Sequence, residues 1–321
     1  MHSSSSESET WDSQGSPENA RPKAGVIEEF VEEGVYFGDR GDPFKQFIKD
    51  LLGRALSKEY IPFLLTEESL GQYNIAFTSK EANPVHNYEM FEQLGDVSVN
   101  KFIVNYMYSR FPQLENPNGV DLIAKLKIKY ASKEQLQSLA EAAGMWPFIT
   151  ATFEERTKKR KKLLEDTFES FFGATEYLID AFVNKNAGGT DINEIKRKND
   201  EYIGVGYNII YRIMKSLFDD IDISLKYEDL VNAKTRFNEV IAERRDEIGK
   251  TRYEDVYGSN GIYTSKIWRQ PPNNGKEELL GTGTAALKKD AQENAANEAL
   301  KTLARRHGIL KEAPKRYKDF F

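Results

Sequence analysis

The chain has 321 residues and a mass of 36.7 kDa, enough for two domains that each bury their own core. It has no cysteine and three histidines (His2, His86, His307), which excludes disulfide frameworks, thiolate zinc sites and cysteine nucleophiles and disfavours a Ser-His-Asp triad. Mean hydropathy is −0.62, no uninterrupted apolar run reaches about 18 residues, and the N-terminus lacks a basic-then-apolar leader, so the expectation is a soluble intracellular protein, nuclear or cytoplasmic. The net charge of −6 hides an asymmetry. From Asn232 onward there are 18 Lys+Arg against 13 Asp+Glu, whereas residues 1–231 hold 27 against 38. An acidic module joined to a basic one suggests two separate tasks.

Residues 1–24 are rich in Ser, Glu, Pro and Asn and read as a disordered tail. Helical spacing of apolar residues begins at Pro43–Leu56 and recurs over 64–75, 87–110, 119–130, 132–142, 160–182 and 205–219. No strand pattern of period two precedes residue 250, so 25–228 is expected to be an all-α domain. Its polar, glycine-containing stretch 183–204 is expected to be an insertion. The basic run RTKKRKK at 156–162 reads as a solvated loop, an RNA-backbone contact or a nuclear address. After a helix at 232–247, three Tyr/Val/Ile/Trp-rich stretches are separated by turns at Gly258–Gly261 and Pro271–Gly275, and an Ala-rich helix follows at roughly 285–305. The order α-β-β-β-α predicts a small α+β domain over 232–308, with Tyr263 and Trp268 in its strand core and a basic tail over 309–321.

Two of the helices carry acids. In NYEMFEQLGDVSVNKFIVNYMY (87–108), apolar residues including Met90, Leu94, Val97 and Phe102 surround most of the helix, which predicts a deeply buried position. Glu89, Glu92 and Asp96 nevertheless share one face, and a second apolar helix (163–179) carries Asp166 and Glu169 at i, i+3. Carboxylates on apolar helices are costly to bury unless something compensates them. Two such clusters without nearby His or Cys suit a hard divalent cation held by oxygen ligands. Either pair alone is also ordinary on a solvated helix face.

FEQLGD (91–96) and EDTFESFFGA (165–174) resemble the two acidic motifs of the ribonuclease III family. LTEESLGQYNIAFTSK (65–80) resembles that family's leading segment, and NGVDLIAKLKIKYASKEQLQSLAEAAG (118–144) falls where expected, with Lys127 at a usually basic position. GTAALKKDAQENAANEAL (283–300) resembles the end of a double-stranded-RNA-binding domain. The resemblance covers about residues 42–308. It implies a Mg²⁺-dependent endoribonuclease (Mn²⁺ as a substitute) that cleaves double-stranded RNA as a homodimer, leaving 5′-phosphate and 3′-hydroxyl ends. The family's catalytic, metal-binding carboxylates fall on Glu92, Asp96, Asp166 and Glu169, with Glu89 at a supporting position. RNA contacts are implied at Thr235, Asn238, Glu239, Asn260, Lys288, Lys289 and Lys127.

The sequence departs from these patterns at Ser79 (commonly histidine), Gln93 (usually an aromatic at the dimer contact) and Gln292 (often a third lysine), and the 258–261 loop lacks the usual Pro and His. The alternative is a catalytically silent RNA-binding scaffold on the same fold.

Overall fold

The computed structural model describes residues 34–56, 60–186, 204–272, 275–318 and 320. The expected tail 1–24 lies outside these residues, as does most of the expected insertion. The remainder of that stretch, 183–186, continues the preceding helix.

The chain starts with β1 (Val35–Tyr36), α1 (Asp42–Gly53), α2 (Ile61–Leu64), α3 (Glu67–Ala76) and the long α4 (Glu89–Arg110). Next come α5 (Gly119–Tyr130), α6 (Lys133–Ala142), β2 (Ala151–Thr152), α7 (Phe153–Lys158), α8 (Arg160–Asn186) and α9 (Val205–Phe218). Local chemistry sets several of these limits. The Thr66 and Ser132 side chains accept from the backbone N–H groups of Ser69 and Gln135 at the starts of α3 and α6, and Thr152 with Glu155 forms a capping box on α7. β1 and β2 pair antiparallel over two residues. A ladder this short has no readable period, which is why no strand was expected before residue 250.

One apolar core joins these helices except α7, with Phe91, Phe102, Phe168, Phe171 and Phe172 contributed by α4 and α8. Only half of α4 enters it. Met90, Leu94 and Val97 are 55%, 44% and 66% exposed, which corrects the expectation of a deeply buried helix. These residues form a stripe along one face of α4 that the described residues leave exposed.

After α10 (Tyr227–Leu230), which packs on the helical core, the C-terminal unit runs through α11 (Ala233–Glu243), α12 (Arg245–Ile248), β3 (Lys250–Tyr257), β4 (Tyr263–Gln270), β5 (Glu278–Ala285) and α13 (Lys288–His307); α14 (Lys315–Lys318) then returns to the helical core. The expected helix 232–247 is divided at Arg244. The antiparallel sheet has the order β3-β4-β5. Glycines 281 and 283 lie directly under α13, where an added Cβ would come within 2.3 Å of the Ala295 backbone, so a Gly-rich strand and an Ala-rich helix pack at minimal separation. A second core, including Phe237, Ile248, Ile267, Leu280 and Leu303, holds this unit. Ser265, Ile267 and Arg269 of β4 face that core, with Tyr263 half-buried on the same face at the strand's start, while Trp268 lies half-buried on the other side. Trp268 donates to Glu254 there, which corrects its expected core position.

Candidate active site

The acidic residues meet where α4 crosses α8, and two glycines permit the crossing. A Cβ at Gly95 would stand 1.8 Å from the Glu169 carbonyl oxygen, and one at Gly173 would stand 2.0 Å from that of Phe91. Each helix therefore presses its glycine against the other's backbone. The turns bearing Glu92 and Asp96 thereby face those bearing Asp166 and Glu169.

The two helices expose their acids unequally. On α4, Glu89 and Asp96 are exposed and Glu92 is half-buried. On α8, Asp166 and Glu169 are 2% and 6% exposed. Burial and the neighbouring charges of Asp96, Glu165, Glu92 and Asp166 push the Glu169 carboxyl up to about 8. Burial, then Asp166, also raises Glu92, with Lys162 opposing. These shifts record burial first and the crowding of like charges at the crossing second.

Several cations and donors partly offset it. Lys162 Nζ lies 2.5 Å from Asp166 Oδ2, and the Tyr88 hydroxyl donates to the same oxygen at 2.7 Å. Burial works to lower the Lys162 ammonium, yet the hydrogen bond and charge of Asp166 raise it. Lys133 pairs with Glu165 at 2.7 Å, and Lys80 reaches both Glu89 oxygens at 2.9 Å. Asn100 donates to Asp96 Oδ1 at 2.8 Å. A small open cavity beside the crossing is lined by Lys80, Tyr88, Glu89, Glu92, Lys159 and Lys162, among others.

Tyr88 and Lys162 were not singled out from the sequence. The i, i+4 spacing of Lys162 and Asp166 was the available signal for the lysine. The rest of the basic run 156–162 is largely committed within the fold. Arg156 lies 3.8 Å over the Tyr36 ring and 3.9 Å over Trp146, Lys158 pairs with Glu154, Lys159 with Glu81, and Arg160 with Glu141. The run occupies α7 and the first turn of α8, not a loop. Ser79 is fully buried and donates to Glu155 Oε2 at 2.6 Å, tying the segment before α4 to α7. His86 is exposed in the turn before α4, its N–H bonded to Asn83.

The donor set suits a hard cation: it is all oxygen, it carries uncompensated negative charge, and half of it faces water. Among the described residues no three Asp, Glu or His side chains stand close enough to form a ready-made cage. Mg²⁺ needs none, since it keeps several waters and takes one or two carboxylates.

The residues expected to meet RNA are spread over both units. Asn238, Asn260 and Lys289 are exposed. Lys288 pairs with Asp255 at 3.1 Å. Gln292 accepts from Lys234 at 2.6 Å and donates to Asp255 at 2.8 Å. Glu239 accepts from the Tyr227 hydroxyl and pairs with Lys311 at 3.2 Å. Thr235 lines a cleft facing α5, on which Lys127 is half-buried.

Residues 89–177 match the model of the ribonuclease III domain, a segment containing all five acids. Over 294 residues the chain is 64% identical to a protein of Invertebrate iridescent virus 6 provisionally named ribonuclease 3, covering 92% of this chain and 98% of that one. The chain belongs to the ribonuclease III family. A protein of Frog virus 3 (isolate Goorha), also provisionally named ribonuclease 3, is 34% identical over 83% of this chain and 64% of its own length. Ribonuclease 3 of Aliarcobacter butzleri is 27% identical over 71% and 88%. Among solved structures, the nuclease domain of ribonuclease III from Campylobacter jejuni aligns with a TM-score of 0.37 at 17% identity, covering 55% of this chain and 97% of that one. Dicer from Pichia stipitis aligns at 0.31 and 19%, covering 73% and 94%. Membership in the ribonuclease III family supports a double-stranded-RNA endoribonuclease, and the family is generally metal-dependent. Among the described residues no helix is long and apolar enough to cross a membrane.

Proposed function

We propose that this ribonuclease III cleaves double-stranded RNA as a Mg²⁺-dependent homodimer, leaving 5′-phosphate and 3′-hydroxyl ends. The observation that supports the reading is the glycine-mediated crossing of α4 and α8, which turns the stretch bearing Glu92 and Asp96 toward the stretch bearing Asp166 and Glu169. One or two of those carboxylates would hold the divalent cation directly and the others through its waters; the ion would supply a water ionised near neutral pH and neutralise charge at the phosphodiester. Glu169, buried like Asp166, is pushed up by burial and by the neighbouring carboxylates, so its negative charge calls for a compensating cation. Tyr88 and Lys162 fix the orientation of Asp166 before substrate arrives, and Lys80 does the same for Glu89, a supporting residue. No protein nucleophile is required.

One chain supplies one such centre. The exposed apolar stripe Met90, Leu94 and Val97 on the same helix supports a second copy packing there, which gives two centres and staggered cuts. Gln93, also exposed, lies beside that stripe.

In the small unit, double-stranded RNA hides its base edges, so recognition rests on phosphates and 2′-hydroxyls. Lys288 and Lys289 at the start of α13 suit phosphate, and Thr235, Asn238 and Glu239 on α11 with Asn260 in the β3–β4 turn suit the minor groove. Lys127 adds a cation on the helical unit.

The test is a plain RNA duplex of about 40 base pairs, longer than the ~16 that one such module spans, incubated with Mg²⁺ and with EDTA. Cutting with Mg²⁺ alone, abolished by Glu169→Gln while duplex binding stays near wild type, is the expected result. A Glu169→Gln chain that cuts at a comparable rate overturns the site assignment.

A further inference from the structure

The carboxy-terminal residues do more than end the chain. Beyond α13, Gly308 takes a left-handed turn (φ 66°) and Ile309 drops into the core of the small unit. Lys311 follows with its side chain only 6% exposed, pairing with Glu239 at 3.2 Å and Glu243 at 2.5 Å on α11. Its ammonium also sits 5.9 Å from the centre of the Tyr227 ring of α10. The segment then leaves the small unit. Tyr317 of α14 is 1% exposed within the core of the helical unit, with its ring edge-on to Tyr227 at 5.0 Å and its hydroxyl 3.5 Å from Asp121 of α5. Ala313 and Phe320 pack against the same core.

The small unit is therefore attached twice, by the linker through α10 and by this returning segment. Between the attachments, α11 is turned toward α5 across a cleft of about 470 Å³ lined by Lys125, Ile128, Lys129, Asp229, Thr235 and Glu293. Lys129 closes one end by donating to the Asp229 carbonyl at 2.9 Å. One of the α11 residues proposed to meet the minor groove is thereby occupied, Glu239 by Tyr227 and Lys311, while Thr235 stays exposed at the rim of the cleft.

We propose that residues 309–318 form a releasable strap that holds the small unit closed on the helical unit and keeps Glu239 of α11 from duplex RNA until it lets go. The RNA half of this inference rests on the function proposed above; the strap itself does not. Ordering a tail of this length costs backbone entropy, offset here mainly by one buried tyrosine and two ion pairs, so the closed state is only modestly favoured. Such a balance suits a latch that a polyanion can open.

The absence of cysteine allows paired spin labels at Ala124→Cys on α5 and Asn297→Cys on α13, both exposed positions, in the full chain. The closed chain should give one narrow distance distribution. Tyr317→Ala and, independently, Lys311→Ala should broaden it while circular dichroism stays unchanged, and both variants should bind duplex RNA several-fold more tightly in EDTA at fixed salt. Distributions that stay narrow in both variants overturn the strap. Broadening without tighter binding overturns the masking of α11. Broadening with no duplex binding by any form upholds the strap and places the failure in the proposed RNA role of the small unit.

Discussion

Gly95 of α4 stands against the carbonyl of Glu169 on α8, so close that a methyl group in its place would lie 1.8 Å from that oxygen. Neither partner is a flexible side chain that can swing away, so the helices themselves must separate. Gly95→Ala should therefore cost at least the upper end of ordinary overpacking, about 3 kcal/mol, and lower Tm by roughly 6–12 °C for a unit of this size. A thermal melt by circular dichroism reads this directly. A melt within a degree or two of wild type means that the crossing is looser than described.

The pushed-up carboxyl of Glu169 makes a prediction about metal-free protein. Its folded-state value of about 8 lies above its ordinary 4.5, so the folded chain holds a proton that the unfolded chain has released. The corresponding stability is fully present below about pH 4.5 and is lost as pH rises toward 8, at no more than about 1.4 kcal/mol per pH unit for one proton. Glu92 is shifted in the same direction. In EDTA, Tm should fall across pH 5–8, Glu169→Gln should flatten the fall, and Mg²⁺ should recover most of it at pH 8. Parallel profiles for wild type and Glu169→Gln would assign the pH dependence to other groups.

The exposed stripe on α4 predicts the oligomeric state. Leu94→Glu places a charge at the centre of Met90, Leu94 and Val97, where a self-complementary apolar contact cannot accommodate it. Sedimentation equilibrium should show wild type at twice the chain mass and the variant at the chain mass, with the helical circular-dichroism signal retained and a Tm that no longer depends on concentration. A monomeric wild type at micromolar concentration would remove the dimer from the proposal.

Much of this arrangement was legible because helices write their faces at a fixed period. The limits of α4, α5 and α9 and the pairing of acids at i, i+3 could be read directly. Periodicity reports that a face is apolar, however, and not what covers it, so Met90, Leu94 and Val97 read as core when they face outward. Contacts remote in sequence left no trace either. Ser79 donates to Glu155 across 76 positions, and Tyr317 reaches Tyr227 from a tail that reads simply as basic. The two-residue pairing of β1 with β2 is shorter than any repeat that could announce it.

Lys162 offers the sharpest separation of structural from chemical roles at the crossing. An ion pair between two solvated groups is worth about 0–1 kcal/mol, but here the Asp166 side chain is only 3% exposed while that of Lys162 is 55% exposed. Removing the lysine leaves a buried carboxylate with the Tyr88 hydroxyl as its remaining side-chain donor among the described residues, a loss of about 1–2 kcal/mol after allowance for water at the lysine. Lys162→Met should show that loss by urea titration in EDTA, and Asp166→Asn in the same chain should cancel most of it. A double-mutant cycle with coupling below about 0.5 kcal/mol, the level expected of independent sites, would mean that Asp166 is held by its helix and Tyr88 alone. Cleavage separates the two roles further. If Lys162 acts by fixing Asp166, then raising Mg²⁺ should restore much of the lost rate in Lys162→Met but none in Asp166→Asn.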